Sequence, residues 1–266
     1  MTSRDDPYSA GEEFDSAATM YDQVLVPAFF DSWAAEVTTR LGPPGDLVVD
    51  VACGTGVLAP HLIGAGWSRV MGVDLSEGML DRAHQRTAGA EWIVGDAAAL
   101  PLGDGAADGV ASSFGLMFMP DPAAALREMG RVARAGAPVV VSTWGHLDVN
   151  GAFHGICEAI EQVGGSPCTR MLRTAFSLGD DDELADLAAR AGFADARVTR
   201  AAITARFACV ADIARAYASP LGVGDASATD ALEAVLNTMV KPWMVGGVVE
   251  FGMEGLILEA TGRGRS

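Results

Sequence analysis

Short apolar runs alternate with amphipathic stretches through the middle of the chain. The apolar runs predict strands at Leu47 to Val51, Arg69 to Val73, Glu91 to Val94, Gly109 to Ser113 and Pro138 to Thr143. Between them the spacing predicts helices over Val57 to Ile63, Glu77 to Arg86 and Pro122 to Ala135. Asp121 is placed to cap the last of these, with Pro122 at its first helical position. This alternation argues for a parallel sheet covered on both faces.

The flanks keep a helical rhythm. "DSAATMYDQVLVPAFFDSWAAEVTTRL" spaces Met20, Val24, Phe29, Trp33 and Val37 at helical intervals, with Pro27 expected to divide two capping helices. "GPPG" then breaks the pattern. Further on, "DDDELADLAARAG" predicts a helix whose first-turn acids suit the positive end of its dipole. Residues 195 to 207 alternate like a strand, helices follow near 211 to 218 and 226 to 240, and "VVEFGMEGLILEATGRG" reads as a final strand. The region from 146 to 176 and the helices near 211 to 240 interrupt the repeat and are expected to shape a substrate pocket.

Charge narrows the partners. Eighteen basic against 35 acidic residues leave a net charge of −17, with the acids scattered, so the surface repels a phosphate backbone and no nucleic-acid partner is expected. Cys53, Cys157, Cys168 and Cys209 form no C-x-x-C pair and have no His at zinc spacing, which predicts no metal site and reduced thiols. The acidic, polar start lacks the pattern of a secretory signal, and no apolar run reaches the roughly 18 residues that a spanning helix needs. A cytoplasmic protein without a membrane partner is expected.

Candidate chemistry begins at "VVDVACGTGVLA". Gly54 and Gly56 let a ligand lie against backbone N–H groups where a helix begins, a place suited to a negative group. The stretch lacks the Lys and Ser/Thr of a nucleotide-triphosphate loop, whereas G-x-G-x-x-A is a tolerated dinucleotide variant. Asp50, aimed at the same loop, is out of place beside a pyrophosphate. Asp74, ending the second strand, suits ribose hydroxyls, and Asp96 with the Ala97 N–H follows the third. Ser113 and Phe114 end the fourth. All lie at carboxyl ends of successive strands, where open α/β sheets bind ligands.

Together, "VVDVACGTG", "GVDLSEGML", "GDAAALPL" and "MPDPAAALREMGRVARAGAPVVVSTW" resemble the class I S-adenosylmethionine-dependent methyltransferases, and within them the small-molecule group known as type 11, over about residues 15 to 145. The resemblance implies an α/β, doubly wound Rossmann-like fold: a seven-stranded, mostly parallel sheet with N-terminal cap helices and a helical insertion. It implies S-adenosylmethionine as cofactor and S-adenosylhomocysteine as product. The loop from Ala52 through Gly54 to Gly56 would lie against the methionine part, with Asp50 on its ammonium. Asp74 would hold the ribose, Leu75 and Met79 would flank the adenine, and Asp96 with Ala97 would bind its edge. Ser113 and Phe114 would line the methionine portion near sulfur, and Tyr21 would close over it. Ala52 stands where glycine is more frequent in the family. "SSFGLMFMP" lacks the Asn/Asp-Pro-Pro-aromatic sequence used on planar amino groups, which points away from bases and glutamine as substrates.

The expected layout is one domain, 1–266, with cap helices at 15–41, a cofactor-binding core at 46–145, and pocket elements at 146–178 and 208–244. The expected partner is a small molecule, a specialised metabolite or a quinone-like ring, for a monomer or homodimer. If a general base operates, His146 after the fifth strand is best placed, then His154, then Asp148; the alternative is that the histidines are ordinary loop or packing residues. His61 and His84 read as surface groups. Met117, Phe118 and Met119 read as substrate wall or as core, and Trp243 and Met244 as further wall. Two other activities stay open: a cyclase that keeps the cofactor but moves no methyl, and a nicotinamide oxidoreductase built on the same turn.

Overall fold

The computed structural model describes residues 18–218 and 226–263. The expectations for 15–17, and for 219–225 within the second pocket segment, lie outside the described residues, as does the Cys168 side chain. Two helices lead into the sheet: α1 (Tyr21–Phe30) and α2 (Asp31–Leu41). Pro27 does not divide them. It sits inside α1, which is wound as a π-helix, and the Asp31 N–H reaches back five residues to the Val26 carbonyl. The wider i→i+5 winding accommodates a residue that has no N–H, so the chain runs from α1 into α2 without a break.

The sheet follows as β1 (Leu47–Val51), β2 (Arg69–Asp74), β3 (Glu91–Val94), β4 (Gly109–Ser113), β5 (Pro138–Trp144), β6 (Arg197–Phe207), β7 (Met244–Val245) and β8 (Val248–Thr261). Its order is β3-β2-β1-β4-β5-β8-β6, with two-residue β7 paired to β8 beside this seven-strand path. The pairings among β1 to β5 are parallel, while β8 runs antiparallel to both β5 and β6. The direction of winding reverses between β1 and β4. At such a switch point the carboxyl ends of the strands open a crevice.

Every residue of β1 is buried, as a strand covered on both faces requires. The alternation of side chains divides the core in two. Val48, Val70, Ala111 and Val140 pack on one face with Phe29, Trp33 and Val37. Val49, Val51, Val110 and Val141 pack on the other with Leu126 and Met129 of α5 (Pro122–Val132) and Leu184 of α8 (Asp181–Arg190). Connecting helices α3 (Leu58–Ala65) and α4 (Glu77–Arg86) fall near their predicted positions. Two further helices, α6 (Gly151–Gly164) and α7 (Ser166–Ala175), occupy a stretch with no clear sequence rhythm. With α9 (Val210–Ala218) and α10 (Ala226–Met239), they build a helical layer over the mouth of the sheet; α10 packs on both α6 and α9. Among the described residues no helix is long and apolar enough to cross a membrane.

Candidate active site

Three left-handed residues shape the turn after β1. Ala52, Gly54 and Gly56 have φ of 55°, 53° and 71°. Gly56 needs its missing side chain twice over: its φ is positive, and a Cβ there would stand 2.4 Å from the Trp92 ring. Ala52 adopts the left-handed backbone despite its methyl group, so the departure from glycine leaves the turn intact.

Asp74 holds that turn in place. Its Oδ2 accepts from the Gly54 N–H at 2.7 Å and its Oδ1 from the Ser76 N–H at 2.9 Å. Ser76 in turn caps α4, its Oγ accepting from the Met79 N–H at 3.0 Å. Asp50 lies behind the turn, 1% exposed, and its Oδ1 has no hydrogen-bond partner. Burial first, and the nearby Asp74 second, push its carboxyl well above the usual carboxylate range. A buried carboxylate oxygen left unpaired is costly. An ammonium group meets this need, so the residues present fit the methionine end of the implied cofactor.

A cavity of about 400 Å³ opens over these strand ends. Tyr21, Ala52, Gly54, Asp74, Leu75 and Met79 line it, joined by Asp96, Ala97, Ser113 and Phe114. Asp50 and Gly56 support the turn from behind rather than forming its wall. Asp96 is exposed at the rim, where its Oδ1 accepts from the Ala98 N–H at 2.8 Å. Ser113 Oγ accepts from Ser142 Oγ at 3.3 Å.

Phe114 follows with φ of 57°, a strained backbone for a bulky side chain and one that concentrates at functional sites. Its N–H donates to the Ser142 carbonyl at 3.0 Å, and its ring stacks on Trp144 with centroids 3.8 Å apart and an interplanar angle of 22°. The π winding of α1 brings Tyr21, Leu25, Phe29 and Phe30 to the same cavity.

The histidines do not join them. His146 stands outside the cavity lining, its side chain 61% exposed and paired with Asp148 at 3.2 Å. His154 faces outward from α6, 48% exposed and 3.6 Å from Glu158. The placement after β5 led toward His146, but the short helical turn Leu147–Val149 that His146 caps carries its ring away from the cavity. Trp144, two residues earlier, is the lining group that β5 supplies. Phe118 and Met119 line the cavity, while Met117 is packed into the core; Trp243 and Met244 are not part of the lining. His61 pairs with Asp31 at 2.8 Å and His84 is exposed.

Five lining aromatics escaped the sequence reading: Phe30, Trp144, Phe153, Phe176 and Tyr217. Trp144 was within reach of the strand-end rule, since it is the last residue of β5. Phe153 and Tyr217 lie on α6 and α9, where no local motif marks them. Arg86 of α4 was missed as well. Its Nε donates to the Thr55 carbonyl at 2.9 Å, and its guanidinium also pairs with Asp22 of α1. It ties the capping helix to the glycine turn.

Among the described residues no group of three or more His, Cys, Asp or Glu could hold a metal ion. Cys53 and Cys157 are buried free thiols, and burial pushes that of Cys157 up to about 11.

This arrangement of strand order, glycine turn and strand-end acids is the class I S-adenosylmethionine-dependent methyltransferase fold, and residues 49–141 match the family described as "Methyltransferase domain". Among curated relatives, the chain is 38% identical over 144 residues to the demethylmenaquinone methyltransferase of Renibacterium salmoninarum, covering 53% of this chain and 60% of that protein. The Mycobacterium marinum protein of the same name is 40% identical over 142 residues, covering 51% and 59%. The match thus spans about three fifths of these relatives' length. Solved structures with the same fold include the [4+2]-cyclase SpnF, with TM-score 0.60, 16% identity and 96% of each chain covered. Another is Haemonchus contortus phosphoethanolamine N-methyltransferase 2 in complex with S-adenosyl-L-methionine, with TM-score 0.59, 17% identity, and 94% of this chain and 57% of that one covered.

Proposed function

We propose that this protein transfers a methyl group from S-adenosylmethionine to a small molecule held in the aromatic half of the cavity. The observation that carries the reading is the Asp50–Asp74 pair: one acid buried with an unpaired oxygen, the other bonded to the glycine turn and lining the cavity. A dinucleotide site brings a pyrophosphate to such a turn, and a buried acid behind it repels that charge. A zwitterionic amino-acid tail suits both the turn's N–H groups and the acid.

In this reading Asp50 takes the ammonium, Asp74 the ribose hydroxyls, and Asp96 with Ala97 the adenine edge. Leu75 and Met79 flank the base, and Ser113, Phe114 and Tyr21 enclose the methionine portion. When bound, the cofactor supplies a methyl group on a cationic sulfur. The rings of Phe114 and Trp144 exclude water and offer π-faces to positive charge, which suits a displacement in which that charge disperses. Holding acceptor and donor in line can supply about 7 to 11 kcal/mol of the barrier, so the side chains need only orient. With both histidines facing away from the cavity, no histidine base is assigned. The acceptor's proton leaves to water or buffer.

The substrate side is built from α1, α6, α7 and α9, all outside the stretch that matches the methyltransferase family. The demethylmenaquinone relatives therefore support a small, ring-containing acceptor, and a specialised metabolite or a quinone-like ring fits equally. The test is incubation with methyl-labelled S-adenosylmethionine and a panel of phenols, amines and carboxylates. Label in a product supports transfer; a rearranged but unlabelled product would instead establish a cyclase. Thermal stabilisation by NADH and not by S-adenosylhomocysteine would overturn the cofactor assignment.

A further inference from the structure

Away from the glycine turn, α1, β5, α6, α7 and α9 wall the cavity with rings and with Leu25, Leu172, Ala175 and Ala216, and none of these elements adds a charged side chain to the lining. Phe153 comes from α6, Phe176 follows α7, and both meet Trp144, at centroid distances of 6.3 Å and 6.3 Å. Phe29 and Phe30 close it from α1. Into this wall α9 contributes one hydroxyl. Tyr217 is 7% exposed, its ring edge-on to Phe153 at 6.4 Å and 89°. Tyr217 lines the cavity, and among the described residues no group hydrogen-bonds its Oη. An amphipathic tip with nothing to bond, on an otherwise apolar wall, lacks its partner.

We infer that this half of the cavity is a subsite for an uncharged, flat aromatic ring bearing a hydroxyl or carbonyl group, and that Tyr217 Oη is the anchor for that group. The inference rests on the methyl-transfer reading only for which end of the ring faces the donor. Three features select the ligand. No cation lines this half to meet a carboxylate or phosphate, and a buried charge without a partner is strongly disfavoured. The three lining acids, Asp74, Asp96 and Asp121, end β2, follow β3 and cap α5, and none stands on the elements that carry these rings, so none is built into the ring wall to neutralise an ammonium. Rings arranged edge-on and tilted around an open space favour another ring over a flexible aliphatic chain.

Tyr217 works as a neutral group. Burial raises its phenol well above the ordinary value, with smaller contributions from Cys157 and Tyr21, so it donates to a carbonyl or accepts from a hydroxyl and does not serve as a phenolate base. A site built to bond such a group rejects analogues that lack it, because the tyrosine is then left unpaired in a dry pocket. Tyr217 is thus a positioning and specificity residue.

The test uses one ring with four substituents: 1-naphthol, naphthalene, 1-naphthoate and 1-naphthylmethylammonium. Each is titrated calorimetrically into the full-length protein saturated with S-adenosylhomocysteine. Naphthol is expected to bind at least about tenfold more tightly than the other three. Tyr217→Phe should lose about tenfold in naphthol affinity, one neutral hydrogen bond's worth, while naphthalene affinity, S-adenosylhomocysteine affinity and melting temperature hold. Preference for the ammonium or the carboxylate, no naphthol binding, or equal naphthol affinity in the variant would overturn the inference. Loss of S-adenosylhomocysteine binding with naphthol binding intact in the cofactor-free protein would instead overturn the methyl-transfer reading and leave the subsite standing.

Discussion

The Gly54 N–H donates to Asp74 Oδ2 at 2.7 Å, so the acid that ends β2 also anchors the turn that leaves β1. One carboxylate thereby sets the spacing of two strand ends across the crevice. Asp74→Ala removes both of its backbone partners' acceptors, and hydrogen bonds to charged groups contribute about 1.5 to 3 kcal/mol each. S-adenosylhomocysteine affinity should fall by more than about tenfold, with a lower melting temperature. Asp74→Asn keeps one acceptor and should fall between. Equal affinity of all three proteins, measured calorimetrically, would refute the assignment.

Asp50 should show opposite effects on stability and binding. Its pKa is raised in the fold, chiefly by burial. Below the unfolded carboxylate value of about 4 both states hold the proton; above it the unfolded chain releases its proton first, and stability is lost as pH rises through the folded value. Asp50→Asn should therefore melt higher than the parent at neutral pH while binding S-adenosylhomocysteine at least about tenfold more weakly. In the parent, binding an ammonium favours the charged acid. Calorimetry in buffers of different ionisation enthalpy should detect proton release that the variant lacks.

Arg86 links the capping helix to the glycine turn through Asp22 and the Thr55 carbonyl. Arg86→Met keeps the apolar stem and removes these bonds. Faster proteolysis within α1 and several-fold weaker S-adenosylhomocysteine binding are expected. Unchanged cleavage kinetics would show that α1 closes without this link.

The histidines provide a negative control. Neither His146 nor His154 lines the cavity, so His146→Ala and His154→Ala should each retain methyl transfer within about twofold, against the 10² to 10⁴-fold loss that removing a general base brings. A loss of that size in either variant would restore it as the base.

The cofactor half was legible because each of its parts is local. Strand pattern, turn glycines and strand-end acids at 50, 74 and 96 sit within a few residues of one another in each motif, and parallel pairing then brings the ends together. The aromatic half was not. Phe29 read as one of a core stripe, and it is core, yet the π winding around Pro27 also brings α1 to the cavity with Tyr21, Leu25 and Phe30. His146 was favoured by its distance from β5, and a single short turn redirected it.

The sequence by itself determined the long strands of the sheet and the acids at their ends, because periodicity and backbone demand are properties of neighbouring residues. Only the tertiary structure decided that Trp144, Phe153 and Tyr217 share one wall and that Asp50 is left with an unpaired oxygen. The rotation of a helix about its axis, and the partner it packs against, depend on side chains far away in the chain.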